Sequence, residues 1–182
     1  LFAERARDLF DEAGDTSGQA RALHLLGVLH RELNDLASAL DYHQQQAVLA
    51  EMAGDQTEMM RAWNGIAGVY QFSGDYSSAL AYAQRALDLA EQIGDMSHYI
   101  TISSNILQIY NQMGGAIDAN ALISSAEAVI SAFDSGVSPA QLVHFYNRAA
   151  RCYLDAGSVD QAAEYNARAL QLTERHMLRR HR

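Results

Sequence analysis

The stretch WNGIAGVYQFSGDYSSALAYAQRA (Trp63–Ala86) decides the fold. Its first part, through Tyr70, reads as a helix that stops at Gly74, where a residue without Cβ accepts the left-handed backbone of a helix end. Asp75 then stands as the N-cap of a second helix, whose Ala79 and Ala86 leave room for close packing against the first. The stretch is therefore a helical hairpin.

Outward from it, the same pattern returns at a fixed interval, the sign of a repeat array. Gly14-Asp15, Gly54-Asp55 and Gly94-Asp95 are spaced 40 residues apart. In that register Arg21-Ala22 matches Arg61-Ala62, Asp35 matches Asp75, and Ala39-Leu40 matches Ala79-Leu80. Tyr70 matches Tyr110, Gly74 matches Gly114, and Ala86 matches Ala126. A fourth copy follows three residues late, with Tyr153, Gly157, Ala162 and Ala169 lying 43 beyond their counterparts. First helices are expected over 17–32, 57–73, 96–113 and 138–156, and second helices over 35–53, 75–93, 115–133 and 158–176. The lone proline, in Ser138-Pro139, falls where a helix tolerates it, at the first position after an N-cap.

Small residues (Gly27, Ala67 and Ala150 on first helices; Ala39, Ala79, Ala119 and Ala162 on second ones) predict close helix pairs. Leu26, Trp63, Ile66 and several tyrosines fill the gaps between pairs. Tyr42, Tyr82 and Tyr165 read as packing aromatics, not a platform for stacked bases.

The order Trp63, Ile66-Ala67, Tyr70, Gly74-Asp75-Tyr76, Ala79, Ala86 resembles the signature of the tetratricopeptide repeat (TPR) family. The 40-residue unit with its Gly-Asp junction is similar to the longer variant found in kinesin light chains and bacterial signalling regulators. The resemblance implies an all-α, right-handed α-α superhelix of helix-turn-helix repeats. It divides the chain into 1–15, the second helix of a truncated repeat; 16–55, repeat 1; 56–95, repeat 2; 96–137, repeat 3; 138–176, repeat 4; and 177–182, a basic tail or linker. Repeat 3 departs most, with Leu107 at a small position and Ser103 where Trp63 would fall, and Gln46 replaces the alanine found at Ala86, Ala126 and Ala169.

The family resemblance further implies a concave groove lined by first helices. Carried over residue by residue, its positions are Arg21, His24, Val28 and Arg31; Arg61, Asn64, Gly68 and Gln71; Thr101, Ser104, Gln108 and Asn111; and His144, Asn147, Arg151 and Leu154. None of these is acidic, in a chain of formal net charge -9. Asn and Gln can pair with an extended peptide backbone, and Arg21, Arg61 and Arg151 are placed to fork a carboxylate. The expected function is a non-catalytic interaction module binding a peptide, acidic ones included, or its own effector domain, as the regulatory part of a larger bacterial signalling or transcription-regulating protein. The alternative is self-association, with homodimers formed through end helices 1–13 and 158–176.

Other chemistries find little support. All 13 basic residues are Arg, which excludes a P-loop lysine and a Schiff-base lysine. The acidic balance disfavours nucleic acid, since phosphate contacts need a basic face and only the Arg175–Arg182 tail is basic. The seven histidines show no metal-ligand spacing, Cys152 is a lone cysteine, and no Gly-x-Ser-x-Gly elbow occurs, so neither cofactor nor enzyme activity is expected. No apolar run approaches the ~20 residues of a membrane span. The chain opens at Leu1 as if mid-helix, and we read it as a fragment of a longer cytoplasmic protein.

Overall fold

The computed structural model describes residues 2–114, 119–132 and 137–180. Helices occupy Phe2–Glu12 (α1), Thr16–Glu32 (α2), Leu36–Ala53 (α3), Gln56–Ser73 (α4), Tyr76–Ile93 (α5), Met96–Met113 (α6), Asn120–Ala132 (α7), Pro139–Asp155 (α8) and Val159–Arg180 (α9). The architecture is all-α, a series of helix-turn-helix repeats. Most ends fall within a residue or two of the sequence reading. Two places differ: the second helix of repeat 3 starts at Asn120, its expected start at 115 lying outside the described residues, and α9 runs four residues past its expected end at 176; the side chains of the tail after Arg175 lie outside the described residues.

The junction dipeptide explains how each repeat is cut from the next. Gly54 ends α3 in the left-handed region (φ 67°), and Asp55 turns its carboxylate back to accept the Glu58 N–H at 3.0 Å. Asp15 and Asp95 cap α2 and α6 in the same way, accepting from Gly18 and His98. One dipeptide thus satisfies orphan groups at two helix ends. Within repeats, Asp35 and Asp75 cap α3 and α5 through the Ser38 and Ser78 amides; the Ser38 and Ser78 side chains first, and then these amide bonds with His30 beside Asp35, hold both carboxyls below the usual carboxylate range. Asn34 (φ 61°) takes the turn position that Gly74 holds in repeat 2. Ser138 and Gln141 form a reciprocal capping box at the start of α8.

The chain forms two compact units, 1–93 and 94–182. In the first, α2 pairs with α3 and α4 with α5, while α3 and α2 both pack on α4 and α1 packs on α2. Ala79, Ala83, Ala86 and Ala90 share one face of α5 and are all fully buried, so α4 approaches closely. In the second unit α6 packs on α8 and α8 pairs with α9; α7, only 13 residues long, touches α6 over a short stretch. Leu107 and Ser103, the departures of repeat 3, are both fully buried.

Two side-chain arrangements recur with the repeat. Ring pairs join first and second helices at equivalent positions: His30–Tyr42, Tyr70–Tyr82 and Tyr153–Tyr165, with centroids 5.1, 5.7 and 5.1 Å apart. A guanidinium also lies over aromatic faces in repeats 2 and 4. Arg85 sits 4.3 Å from the Trp63 ring centroid, and Arg168 sits 4.9 Å from that of Tyr165.

Candidate functional site

In the first unit, two of the expected groove residues, His24 and Arg61, belong to a polar cluster that is largely buried. His43, from α3, has no exposed surface and lies between two glycines, Gly27 of α2 and Gly65 of α4. Its Nδ1–H donates to Gln46 Oε1 at 3.1 Å, and Gln46 Nε2 donates to Glu58 at 3.0 Å. The residue that breaks the alanine pattern is therefore the bridge between α3 and α4. Glu58, itself buried, accepts from Arg61 at 2.9 Å. His24 packs against His43 with ring centroids 5.6 Å apart. Burial drives both imidazoles toward the neutral form; for His43 the pKa falls to about 4.

This cluster changes what the arginines of the first unit can do. Arg61 is already engaged by Glu58, a carboxylate one turn away that lies outside the expected set. Arg31 pairs with Glu32 and lies over the Phe72 ring. Arg21 is exposed on α2, and Asn64 and Gln71 are partly exposed on α4.

The second unit assembles a different site. Between α6 and α8, Thr101, Ser104, Asn105, Gln141, His144 and Arg148 line a cleft of about 170 Å³. Gln141 spans it, donating to the Ser97 hydroxyl at 2.9 Å and to Thr101 Oγ1 at 2.8 Å. Arg148 donates to Ser104 Oγ at 2.8 Å and to Asn105 Oδ1 at 3.1 Å. Both acceptors are neutral. Burial lowers the Arg148 pKa, and no carboxylate acts against it. The other well-placed arginines differ: Arg151 pairs with Asp155 at 3.0 Å, and Arg168 with Glu127 and Glu164.

Of the expected residues here, Thr101, Ser104 and His144 line the cleft. Asn111 instead joins α6 to α8, donating to the Arg148 carbonyl at 3.3 Å and accepting from Cys152. Gln108 is partly exposed, while Asn147 and Arg151 are exposed. Asn105, Gln141 and Arg148 were not in the expected set. Asn105 and Arg148 share one repeat position with Gly65, adjacent to the carried-over one, so a polar residue where repeat 2 has glycine was the available signal. Cys152 is buried, and desolvation raises its thiol pKa to about 11, the opposite of an activated nucleophile. Among the described residues no group of His, Cys, Asp or Glu is arranged to hold a metal ion, and no helix is long and apolar enough to cross a membrane.

The family model for the tetratricopeptide repeat matches residues 22–57 and 62–97. No curated protein sequence matches the chain. Among solved structures, BtubC (BKLC) from P. vanneervenii is similar with a TM-score of 0.78 and 16% identity, over 96% of this chain and 74% of that one. Aspartyl phosphate phosphatase F from Bacillus subtilis superposes with a TM-score of 0.67 and 16% identity, over 94% of this chain and 54% of its own. MamA gives 0.62 and 20%, over 94% and 96%. At these identities the likeness speaks to fold. Residues 22–97 thus carry two tetratricopeptide repeats, and the helix pairs of the rest of the chain resemble them in fold.

Proposed function

We propose that this repeat protein is a non-catalytic module that binds an extended segment of a partner protein, or of an effector domain in its own chain, and that Arg148 anchors an acidic group of that segment. TPR arrays serve in general as protein-binding scaffolds, which supports the coarser part of the reading. The finer part rests on one observation: Arg148 is a half-buried cation whose hydrogen-bond partners are all neutral. Removing a charge from water is costly unless an opposite charge meets it. An incoming carboxylate would supply that charge, with the Ser104 hydroxyl beside it as a further donor. A regulatory role in a bacterial signalling protein fits this reading, with ligand occupancy biasing an attached domain.

Phage display of random peptides on the purified chain tests it. The expected result is enrichment of sequences carrying Asp or Glu, with binding lost in Arg148→Gln and kept in Arg151→Gln, whose guanidinium is already neutralised by Asp155. Enrichment without acidic residues, or equal binding by both variants, would overturn the anchor.

Self-association is the second reading, favoured by Leu25, Leu29 and Leu33. They follow one another at four-residue spacing along α2 and its C-cap and are 60%, 48% and 67% exposed. Leu9 on α1 and Leu170 on α9 add exposed apolar surface on the end helices. Light scattering over a concentration series decides; a monomer throughout removes this reading.

A further inference from the structure

Repeat 1 carries a cavity at the place where repeats 2 and 4 carry a stacked arginine. About 450 Å³ in volume, it lies among α1, α2 and α3, away from the polar cluster around His43. Leu23, Val48 and Leu49 supply its apolar wall, and Arg7, Asp11, Gln19, Gln44 and Gln45 its polar rim. The volume is in the range of small-ligand sites.

The repeat register shows what such a space accepts. Leu23 stands at the position of Trp63 in repeat 2 and of Tyr146 in repeat 4; Gln45 stands at that of Arg85 and Arg168. In repeat 2 the Arg85 guanidinium covers the Trp63 indole at 4.3 Å, and in repeat 4 Arg168 approaches Tyr146 and Tyr165 at 5.9 and 4.9 Å. Repeat 1 has lost both the ring and its cation. A guanidinium nevertheless reaches this cavity from another direction, because Arg7 of α1 is at its rim. Its equivalent one repeat on, Ala47, has no charge to offer.

We propose that this cavity binds an aromatic side chain of a partner polypeptide, the ring taking the place that Trp63 fills in repeat 2. Leu23, Val48 and Leu49 meet the face of the ring, and Arg7, ion-paired with Asp8 at 2.7 Å, brings to the rim a guanidinium plane that stacks on an aromatic rather than an aliphatic group. Gln44, exposed at the rim, presents a donor and an acceptor suited to the peptide amides that flank a side chain. The site is separate from the Arg148 cleft, so a partner that engages it does so independently of an acidic anchor.

The test is an NMR titration of the full chain with N-acetyl-tryptophanamide, N-acetyl-leucinamide and free indole. The tryptophan amide is expected to give saturable shifts at Gln44, Gln45 and Leu49, with affinity about tenfold above the leucine amide. Leu23→Trp fills the cavity from within and is expected to abolish the shifts. Should that variant fold poorly, Val48→Asp serves instead, because Val48 is 54% exposed and its replacement leaves the core intact. Equal affinity for the leucine amide would show a non-selective apolar hollow and overturn the proposal. Equal affinity for indole would remove the polypeptide as occupant, and unchanged binding by both variants would remove the cavity as the site. Phage selection through Arg148 is unaffected by any of these results.

Discussion

The imidazole of His43 presses on Gly65 so closely that a Cβ built there would lie 2.5 Å from the ring. On its other side Gly27 leaves the same kind of gap, with a built Cβ 2.6 Å away. The ring joins α2, α3 and α4 in one slot, and neither neighbour can be enlarged without moving it. Alanine in place of helical glycine normally gains about 0.5–1 kcal/mol. Here overpacking outweighs that gain, and Gly65→Ala is expected to destabilise by about 1–3 kcal/mol. Gly68→Ala provides the contrast: its Cβ would meet only the mobile end of Arg31, so the helix gain prevails and stability stays level or rises. Urea midpoints of the two variants check this, and equal effects would refute the slot.

The same burial makes the fold sensitive to acid. His43 titrates at about 4 when folded and near 6.5 when unfolded, because desolvation disfavours its charged form. Its folded-state pKa is depressed, so the unfolded chain binds the proton more readily. The contribution is complete above pH 6.5 and is lost as pH falls toward 4. The loss amounts to roughly 3 kcal/mol, and His24 shifts in the same direction. Denaturant titrations from pH 7.5 to 4.5 should therefore show stability falling, and His43→Gln should flatten the curve. A profile equally steep in that variant would place the titration elsewhere.

The frame of the fold was legible because its signals are local. Gly54-Asp55 is a helix stop followed by a helix start in two adjacent letters, and alanines at a shared register mark where axes approach. The site was only partly legible. Arg61 and Arg151 both keep exposed side-chain surface, yet Glu58 and Asp155 pair with them, and a repeat register does not reveal which carboxylate reaches which cation. Arg148 lies one position from the expected line, and its significance is the absence of an acid beside it on α6. Gln46 looked like a flaw in an alanine column; its role appears only once Glu58 comes within 3.0 Å from the next repeat.

Arg148 also allows stability to be separated from function. A cation held for structure costs about 1–3 kcal/mol when its hydrogen bonds are removed. A desolvated cation with neutral partners is a different case, since an apolar side chain of similar length escapes the desolvation penalty. Arg148→Met is expected to leave thermal stability within about 0.5 kcal/mol or to raise it, while abolishing selection of acidic peptides. A large loss of stability would make the residue a structural strut between α6 and α8.

The Arg85–Trp63 contact can be carried to repeat 1 as a further check on the register. Leu23→Trp alone places an indole in a cavity of about 450 Å³, and Gln45→Arg supplies the cation from the position Arg85 occupies one repeat later. Filling apolar space and restoring a cation–π contact act in the same direction, the latter contributing about 0.5–1 kcal/mol at an exposed site. Gln45 donates to Asp41 at 2.7 Å, an exposed bond on one helix whose loss costs little. The double variant is thus expected to be more stable than either single variant, with a positive coupling energy in a double-mutant cycle. Additive effects would mean that the two positions do not meet in repeat 1, and that its second helix is set differently on the first than in repeat 2.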